Sequence, residues 1–192
     1  MVKESTITKI IFVFMPELVG EFNIRETAKK ASISYDAAYR HVKALVEKRI
    51  LKERQVGKAI IYSLNLNNPV TIREIDSILT IEASNHQRWV EEFRKLEGIT
   101  KCVVLFGSIL RNEKEARNID LFVISKKKNY SKVKKVIEER NKIQLKLIHL
   151  IFQTPSDFRF DLNRKYEVTI EIIKTGIVLY GQDELRKLVT EK

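Results

Sequence analysis

The sequence has only one cysteine, Cys102, among its 192 residues. One thiol cannot form a disulfide within the chain, and it cannot supply the several thiolates of a structural zinc cluster. The sequence also lacks a run of about 18 apolar residues and an N-terminal stretch with the layout of a secretion signal. We therefore expect a protein without a membrane span that works in the cytoplasm.

Acidic residues are outnumbered by basic ones, since 25 Asp and Glu stand against 36 Lys and Arg for a formal net charge of +11. This excess favours anionic partners such as nucleic acid or nucleotides, although many basic proteins bind neither. We expect no membrane partner. Proline and glycine are scarce while Lys, Glu and Ile are abundant, a composition compatible with a thermophile.

Apolar residues near the N-terminus recur with helical spacing. One stripe of a first helix is formed by Ile7, Ile10, Ile11 and Phe14. This helix should end at Met15, because Pro16 disfavours helical geometry in the residue before it. Asn23 followed by Glu26 then predicts a capping box at the start of a second helix.

A third helix is predicted to begin after Ser34, whose hydroxyl is placed to cap its first turn. Its inner face carries Ala38, Val42, Leu45 and Val46. Its outer face carries side chains that can contact phosphates or base edges, namely Tyr35, Asp36, Tyr39, Arg40 and Lys43. Partial packing under the first helix is an equally good interpretation of the two tyrosines.

Two short β-rich runs, 50–54 and 59–64, follow around Gly57 and predict a hairpin. With the segments FNIRE, ISYxxAYRHVxxL and GKxxxYxLN, this order resembles the winged helix-turn-helix domain of archaeal and bacterial transcription regulators. The resemblance implies that double-stranded DNA is the partner, with the third helix in the major groove and the hairpin as the wing. The candidate DNA-binding residues are Ser34, Tyr35, Tyr39, Arg40, Lys43, Arg54 and Lys58.

Asn67-Asn68-Pro69 predicts the start of another helix, because Asn caps helices and Pro suits their first position. Apolar residues then continue with helical spacing as far as Leu96, in one long helix or in two with a break near Ser84-Asn85. The segment has four basic and six acidic residues, so we do not expect it to contact DNA. It is expected to dock two domains or to form a homodimer, which winged-helix regulators use to reach two half-sites.

From residue 100 the pattern changes to one of alternating strands and helices. Cys102–Phe106 is a continuous apolar run, typical of a strand buried on both faces. Further strands are predicted at 119–124 and 144–152, and helices at 131–141, 155–163, 166–175 and 182–189. The expected fold class is therefore α+β in two domains, with a winged helix at 1–66, a connector at 67–98 and an α/β domain with a small mixed sheet at 99–192.

The stretch VVLFGSILRNEKEARNIDLFVI resembles the core of the polymerase-beta type of nucleotidyltransferase fold. More narrowly, it is similar to small prokaryotic proteins with a minimal nucleotidyltransferase domain, some of which are antitoxins. The resemblance implies that Gly107, Ser108, Arg111 and Asp120 are the nucleotide-binding residues if that function is retained. It also implies that an Asp-x-Asp pair and a third acid on a neighbouring strand hold two Mg²⁺ ions.

Two of these three acids are missing. Asn118 stands at the first position of the pair, so only Asp120 remains, and the next strand offers Lys146 or His149 at the third position. Because Mg²⁺ needs several anionic oxygens, we predict no metal site, no cofactor and no transfer. Asp120 is then a solvated strand-end carboxylate or one that is hydrogen-bonded near Gly107. If the domain is active, Asp120 is its catalytic residue and Mg²⁺ its cofactor.

Three functions are compatible with this sequence. The first is a DNA-binding transcription regulator whose inactive nucleotidyltransferase-fold domain serves as a scaffold, a nucleotide sensor or a docking surface. The second is an active Mg²⁺-dependent nucleotidyltransferase that acts on protein or RNA, and the third is the antitoxin-like component of a toxin–antitoxin pair. The segment from Lys126 to Lys146, with nine basic and two acidic residues, is suited to phosphate contacts or to an acidic protein partner.

Overall fold

The computed structural model of the protein describes residues 6–14 and 20–190. They belong to two compact units, Met1–Ile78 and Leu79–Lys192, which we call the N-terminal and C-terminal units. None of the described helices is both long enough and apolar enough to cross a lipid bilayer. The fold is of mixed α+β class, with a small mixed sheet in the C-terminal unit.

The N-terminal unit contains three helices, a two-stranded hairpin and most of a fourth helix. They are α1 (Thr6–Phe14), α2 (Ile24–Ala31), α3 (Tyr35–Glu47), β1 (Leu51–Val56), β2 (Ala59–Leu64) and α4 (Pro69–Asn85). The predicted helices at the start of the chain are thus confirmed. Met15 and Pro16, where the first helix was predicted to end, lie outside the described residues.

Local capping determines where α2 and α3 begin. Asn23 and Glu26 form the predicted capping box, in which each side chain accepts a hydrogen bond from the other residue's backbone N–H. The hydroxyl of Ser34 accepts from the N–H of Ala37, which confirms the predicted cap of α3. Between the two helices, Ser32 adopts a left-handed conformation that closes the turn.

Apolar faces of the three helices form the core of this unit. The fully buried side chains are Ile10, Ile11, Phe14, Ala38, Val42 and Leu45, and the hairpin adds Leu51, Tyr62 and Leu64. Gly57, with a φ of +58°, lies in the two-residue turn of the hairpin, between the paired residues Val56 and Ala59. Phe22 also pairs with Tyr62 through two backbone hydrogen bonds of 3.0 and 2.9 Å, an isolated bridge that ties the link before α2 to the hairpin.

The chain continues from α4 into the C-terminal unit, and the division between the units falls inside this helix. Asn68 caps α4 by accepting a hydrogen bond from the N–H of Val70, with Pro69 at the first helical position. α4 ends at Asn85 and α5 (Gln87–Glu92) begins after His86. Of the two predicted alternatives for this segment, the interrupted one is therefore correct.

The C-terminal unit is built on a sheet of four strands. Its remaining elements are β3 (Cys102–Phe106), α6 (Ser108–Arg111), β4 (Asn118–Ile124), α7 (Tyr130–Asn141), β5 (Leu147–Gln153), α8 (Pro155–Asn163), α9 (Glu167–Thr175), β6 (Ile177–Tyr180) and α10 (Gln182–Thr190). The strand order is β5-β4-β3-β6, with β4 and β5 parallel and the other pairs antiparallel. β5 begins at Leu147, three residues later than the sequence pattern predicted, because 144–146 belong to a loop.

Helices cover the two faces of this sheet. One face packs alternate strand residues such as Val103, Leu105, Leu121 and Val123 against Trp89, Phe93, Val133 and Ile137 from the helical segments. On the other face, the rings of Phe122 and Phe158 meet at 5.9 Å beneath α8. β3 is buried on both faces, as its continuous apolar run predicts.

Candidate functional site

Gly107 and Ser108 join β3 to the short helix α6. Gly107 has a φ of +84°, a backbone conformation that side chains rarely adopt. A Cβ atom at this position would lie 2.4 Å from Oδ2 of Asp120, so a side chain here would require the Asp120 carboxylate to move. The predicted neighbourhood of Gly107 and Asp120 is therefore present, although the two residues are brought together by strand pairing and not by a hydrogen bond.

Strand register places the residues at the acid positions on one face of the sheet. Asp120 pairs with Phe106 of β3 on one side and with His149 of β5 on the other. Asn118, two residues before Asp120, lies on the same face of β4 because side chains alternate along a strand. This arrangement makes Asn118, Asp120 and His149 one cluster beside Gly107.

His149 is the residue at the position of the third acid. Its Nδ1 lies 3.5 Å from Oδ1 of Asp120, and the two side chains are 50% and 26% exposed. Lys146, the other candidate, turns away. Its ammonium donates hydrogen bonds to the backbone carbonyls of Ala116 and Lys114, and it lines a cavity with Ile119 on the opposite face of β4.

The cluster does not fit the two Mg²⁺ ions that its fold implies. Asn118 offers a neutral amide, His149 offers an imidazole nitrogen, and Asp120 is the single carboxylate. Within the described ranges, no three His, Cys, Asp or Glu side chains come together as a group that could hold a metal. Hard divalent cations bind chiefly through several oxygen ligands that neutralise their charge, and this donor set does not supply them.

The remaining candidate nucleotide-binding residues lie on α6. Ser108 and Arg111 are both exposed at opposite ends of this four-residue helix. Gly107 stands at the N-cap of the helix, so no side chain caps its first turn. Ser108 and Arg111 are therefore open to solvent, and the side chain of Asp120 is 26% exposed.

The seven candidate DNA-binding residues lie on α3 and the hairpin. Tyr35 and Tyr39 are 49% and 47% exposed and stack on each other at 6.4 Å between ring centroids. Arg40 is exposed one residue later, Lys58 is exposed at the hairpin turn, and Ser34 caps α3. Half-exposed rings of this kind leave room for an external contact and are equally compatible with partial packing against the rest of the unit.

Two of the basic candidates are held by carboxylates within the same unit. The ammonium of Lys43 lies 2.8 Å from Glu53 of β1 and 5.8 Å from the centre of the Tyr62 ring. The hydrogen bond to Glu53 raises the pKa of Lys43. Arg54 is paired with Glu21 at 2.7 Å. Sequence reasoning missed both acids, because each lies far along the chain from its partner.

The lysine-rich segment is exposed where the structure describes it. Lys126–Lys128 and Lys132, Lys134 and Lys135 all have exposed side chains. Lys134 is 3.7 Å from Glu138 on the next turn of α7, an exposed ion pair that contributes little to stability.

Comparison with known proteins gives one result that bears on this site. The model of the family described as Polymerase beta, Nucleotidyltransferase matches residues 89–185, just over half of the chain. Searches of curated proteins and of solved structures gave no match. The matched region holds the Gly107-Ser108 turn, Asp120 and the whole four-stranded sheet, and by this match the chain belongs to the polymerase beta nucleotidyltransferase family.

Proposed function

We propose that the protein binds double-stranded DNA through a winged helix in residues 1–66 and regulates transcription. Its nucleotidyltransferase-fold domain serves this function without transferring nucleotides. The observation that carries the proposal is the exposed surface of α3, on which Tyr35, Tyr39 and Arg40 lie together.

The order of elements in the N-terminal unit supports the proposal. A winged helix has two helices joined by a short turn, with the second helix free to enter a groove and a hairpin beside it. Here α2 and α3 are separated by a three-residue turn and both begin at side-chain caps. The bridge between Phe22 and Tyr62 ties the hairpin to the start of α2, and Tyr35, Tyr39 and Arg40 on the outer face of α3 are exposed among the described residues.

The polar contacts of α3 suggest a division of roles among its basic residues. Arg40 has the exposure needed for a phosphate or a guanine edge, and Lys58 extends from the tip of the hairpin. Lys43 is one-third exposed and bound to Glu53, so its first role is to hold the hairpin against α3. DNA contact by Lys43 or Arg54 would require the phosphate to compete with a carboxylate already in place.

The chemistry of the C-terminal unit supports a role other than transfer. The Asn118, Asp120 and His149 cluster retains one of the three acids that the family's two-metal chemistry needs. A fold that keeps its sheet and its Gly-Ser turn can still act as a scaffold, sense a nucleotide or dock a partner. The homodimer expected for a winged-helix regulator belongs to the same proposal.

DNA binding is tested with the full chain by fluorescence anisotropy on a labelled duplex. We expect affinity to fall steeply with salt, because phosphate contacts release counterions. The double variant Arg40→Ala with Lys58→Ala should lose binding, whereas Arg159→Ala with Arg164→Ala, which removes the same charge from α8 and its C-cap, should retain it. Binding that survives the first double variant would exclude α3 as the recognition helix.

Family membership favours a second candidate, an active nucleotidyltransferase that modifies protein or RNA, and is compatible with a third, the antitoxin-like component of a toxin–antitoxin pair. The second candidate is tested by incubation of the protein with Mg²⁺ and each labelled nucleoside triphosphate, in the presence of cell protein and RNA. We expect no labelling. Labelling that disappears in Asp120→Ala would establish transfer and reject the inactive domain.

A further inference from the structure

Strand β5 is an edge strand without the usual protection against pairing. It lies at the end of the sheet order, and its seven residues, LIHLIFQ, include no Asp, Glu, Lys, Arg, Pro or Gly. Natural edge strands usually carry such residues, because an open row of backbone groups is a template for another strand. An uncharged edge of this length is expected to be covered in the working protein.

Two hydrogen bonds define which backbone groups of β5 face outward. The carbonyl of Gln153 accepts from the N–H of Ser125, next to β4, at 3.0 Å. The N–H of Ile148 instead donates to Oδ1 of Asn141 at 2.8 Å, away from β4. Because directions alternate along a strand, the N–H and C=O groups of Leu150 and Phe152 point outward as well. No strand of the described chain pairs with them.

Apolar side chains surround this open edge. Leu147 is 54% exposed and Ile151 is 36% exposed, both on the face of the sheet that carries Asp120. In the loop before the strand, Ile143 and Leu145 are 70% and 103% exposed. Both of these loop residues line a cavity with Ile119, on the opposite face of the sheet, so apolar surface is exposed to water on both faces beside this edge.

On the opposite face, a groove runs between β5 and α7. It is lined by Tyr130, Lys134, Ile137, Glu138, Asn141, Leu150 and Phe152. The ring of Tyr130 meets that of Phe152 edge to face at 5.1 Å at one end, and Asn141 binds Ile148 at the other. The middle of α7, with Lys134 and Glu138, therefore lies alongside Leu150.

We propose that a second copy of the chain pairs with β5, antiparallel and about a two-fold axis near Leu150. Leu150 of each copy would pair with Leu150 of the other, and the N–H of Phe152 would donate to the outward carbonyl of Ile148 in the other copy, joining the two sheets into one. The same axis brings the middles of the two α7 helices together, so that Lys134 of each copy meets Glu138 of the other.

Charge selects a second copy over other occupants. The groove carries one cation and one anion, Lys134 and Glu138, which are paired at 3.7 Å within each copy and which a two-fold axis would also make complementary between copies, whereas an acidic protein or an anionic membrane would meet Glu138 unfavourably. Along the strand itself, two identical uncharged edges meet without repulsion. The inference does not depend on DNA binding, although a dimer would suit a protein that reads two half-sites.

The test is sedimentation of the full chain over a wide range of concentrations. We expect a dimer whose dissociation constant rises at least about tenfold in Ile151→Lys, because like charges on adjacent strands repel. Val168→Lys, at a comparably exposed apolar residue of α9, should leave the dimer unchanged. Unaltered circular dichroism of both variants would show that they are folded.

A charge exchange on α7 tests the axis itself. Lys134→Glu and Glu138→Lys should each weaken the dimer, and the two together should restore it, because the exchange preserves the pairing between copies. A monomeric wild-type chain would overturn the proposal. So would a dimer that Ile151→Lys leaves intact, or single charge changes without effect, since association would then use another surface or another partner.

Discussion

The carboxylate of Asp120 lies so close to Gly107 that it occupies the space of a side chain. A Cβ atom on Gly107 would be 2.4 Å from Oδ2 and 3.2 Å from Cγ of Asp120. The contact follows from the pairing of Phe106 with Asp120, which sets the end of β3 beside the third residue of β4. The turn after β3 and the retained acid of the site are therefore sterically coupled.

This coupling predicts that Gly107→Ala lowers the free energy of unfolding by more than the cost of placing alanine at a positive φ. The positive φ alone costs about 1–2 kcal/mol in a residue with a side chain. The collision with Asp120 should add about 1–3 kcal/mol, as overpacking does. Thermal and urea unfolding of the full chain measure the sum of the conformational cost and the steric cost.

Gly98→Ala is the matched control. Gly98 has a φ of +75°, and no atom of the described residues lies within 4 Å of the place that an added methyl group would take. Gly98→Ala should therefore show only the cost of the positive φ. In the Asp120→Ala background, Gly107→Ala should become as mild as the control. An equal effect of Gly107→Ala with and without the Asp120 carboxylate would show that the two residues are not coupled.

The neighbouring positions Asn118 and His149 predict how divalent-ion binding can be rebuilt. Asn118→Asp together with His149→Asp would give three carboxylates on adjacent strands, the ligand chemistry that hard cations need. We expect Mn²⁺, followed by electron paramagnetic resonance, to bind this variant at least about tenfold more tightly than the wild type.

Adding Asp120→Ala to this variant tests whether Mn²⁺ binds at the rebuilt cluster. The addition should return Mn²⁺ binding to the wild-type level. Glu171→Gln is the comparison, since it removes an exposed carboxylate on α9. Tight Mn²⁺ binding by the wild type, lost in Asp120→Ala, would mean that the present amide and imidazole suffice and that the loss of acids did not abolish the metal site.

Cys102 is predicted to be inert to thiol reagents while the protein is folded. Its side chain is fully buried in β3, and burial raises the pKa of the thiol, with Glu184 and Asp183 raising it further. The reactive thiolate is therefore both inaccessible and rare. Reaction with a chromogenic disulfide at neutral pH should be complete in denaturant and negligible without it. Rapid reaction of the native protein would contradict the buried position of β3.

Sequence patterns predicted those features that depend on neighbours along the chain. The caps at Asn23, Ser34 and Asn68 depend on residues two or three positions away, and each is present. The buried strand β3 was recognisable because its apolar run has no polar interruption. These local signals sufficed for most of the helices and strands.

Contacts across the sheet and across the N-terminal unit were not predictable in this way. The pairings of Lys43 with Glu53 and of Arg54 with Glu21 depend on how the hairpin folds back, which spacing does not encode. The choice between Lys146 and His149 likewise required the start of β5 and its register against β4, since β5 begins at Leu147 and pairs His149 with Asp120.

The buried hydroxyl of Tyr62 predicts a loss of stability at alkaline pH. Burial raises the pKa of Tyr62, and Glu53 raises it further while Lys43 lowers it. The folded state therefore holds the phenolic proton more tightly than the unfolded state does. This contribution is fully present below the ordinary pKa of tyrosine, about 10, and is lost as pH rises through the folded pKa. The raised pKa of Lys43 acts in the same direction, since its bond to Glu53 requires the proton.

Hydrogen–deuterium exchange of the full chain, read in peptides from α3 and the hairpin, measures this effect without a separate fragment. After correction for the intrinsic pH dependence of exchange, protection should fall between about pH 9 and pH 11. Tyr62→Phe should reduce that fall, because the ring stays buried and no longer has a proton to lose. Tyr166→Phe, which changes an exposed ring beside α9, should leave the fall in protection unchanged. A pH dependence identical in Tyr62→Phe and wild type would assign the alkaline transition to other groups.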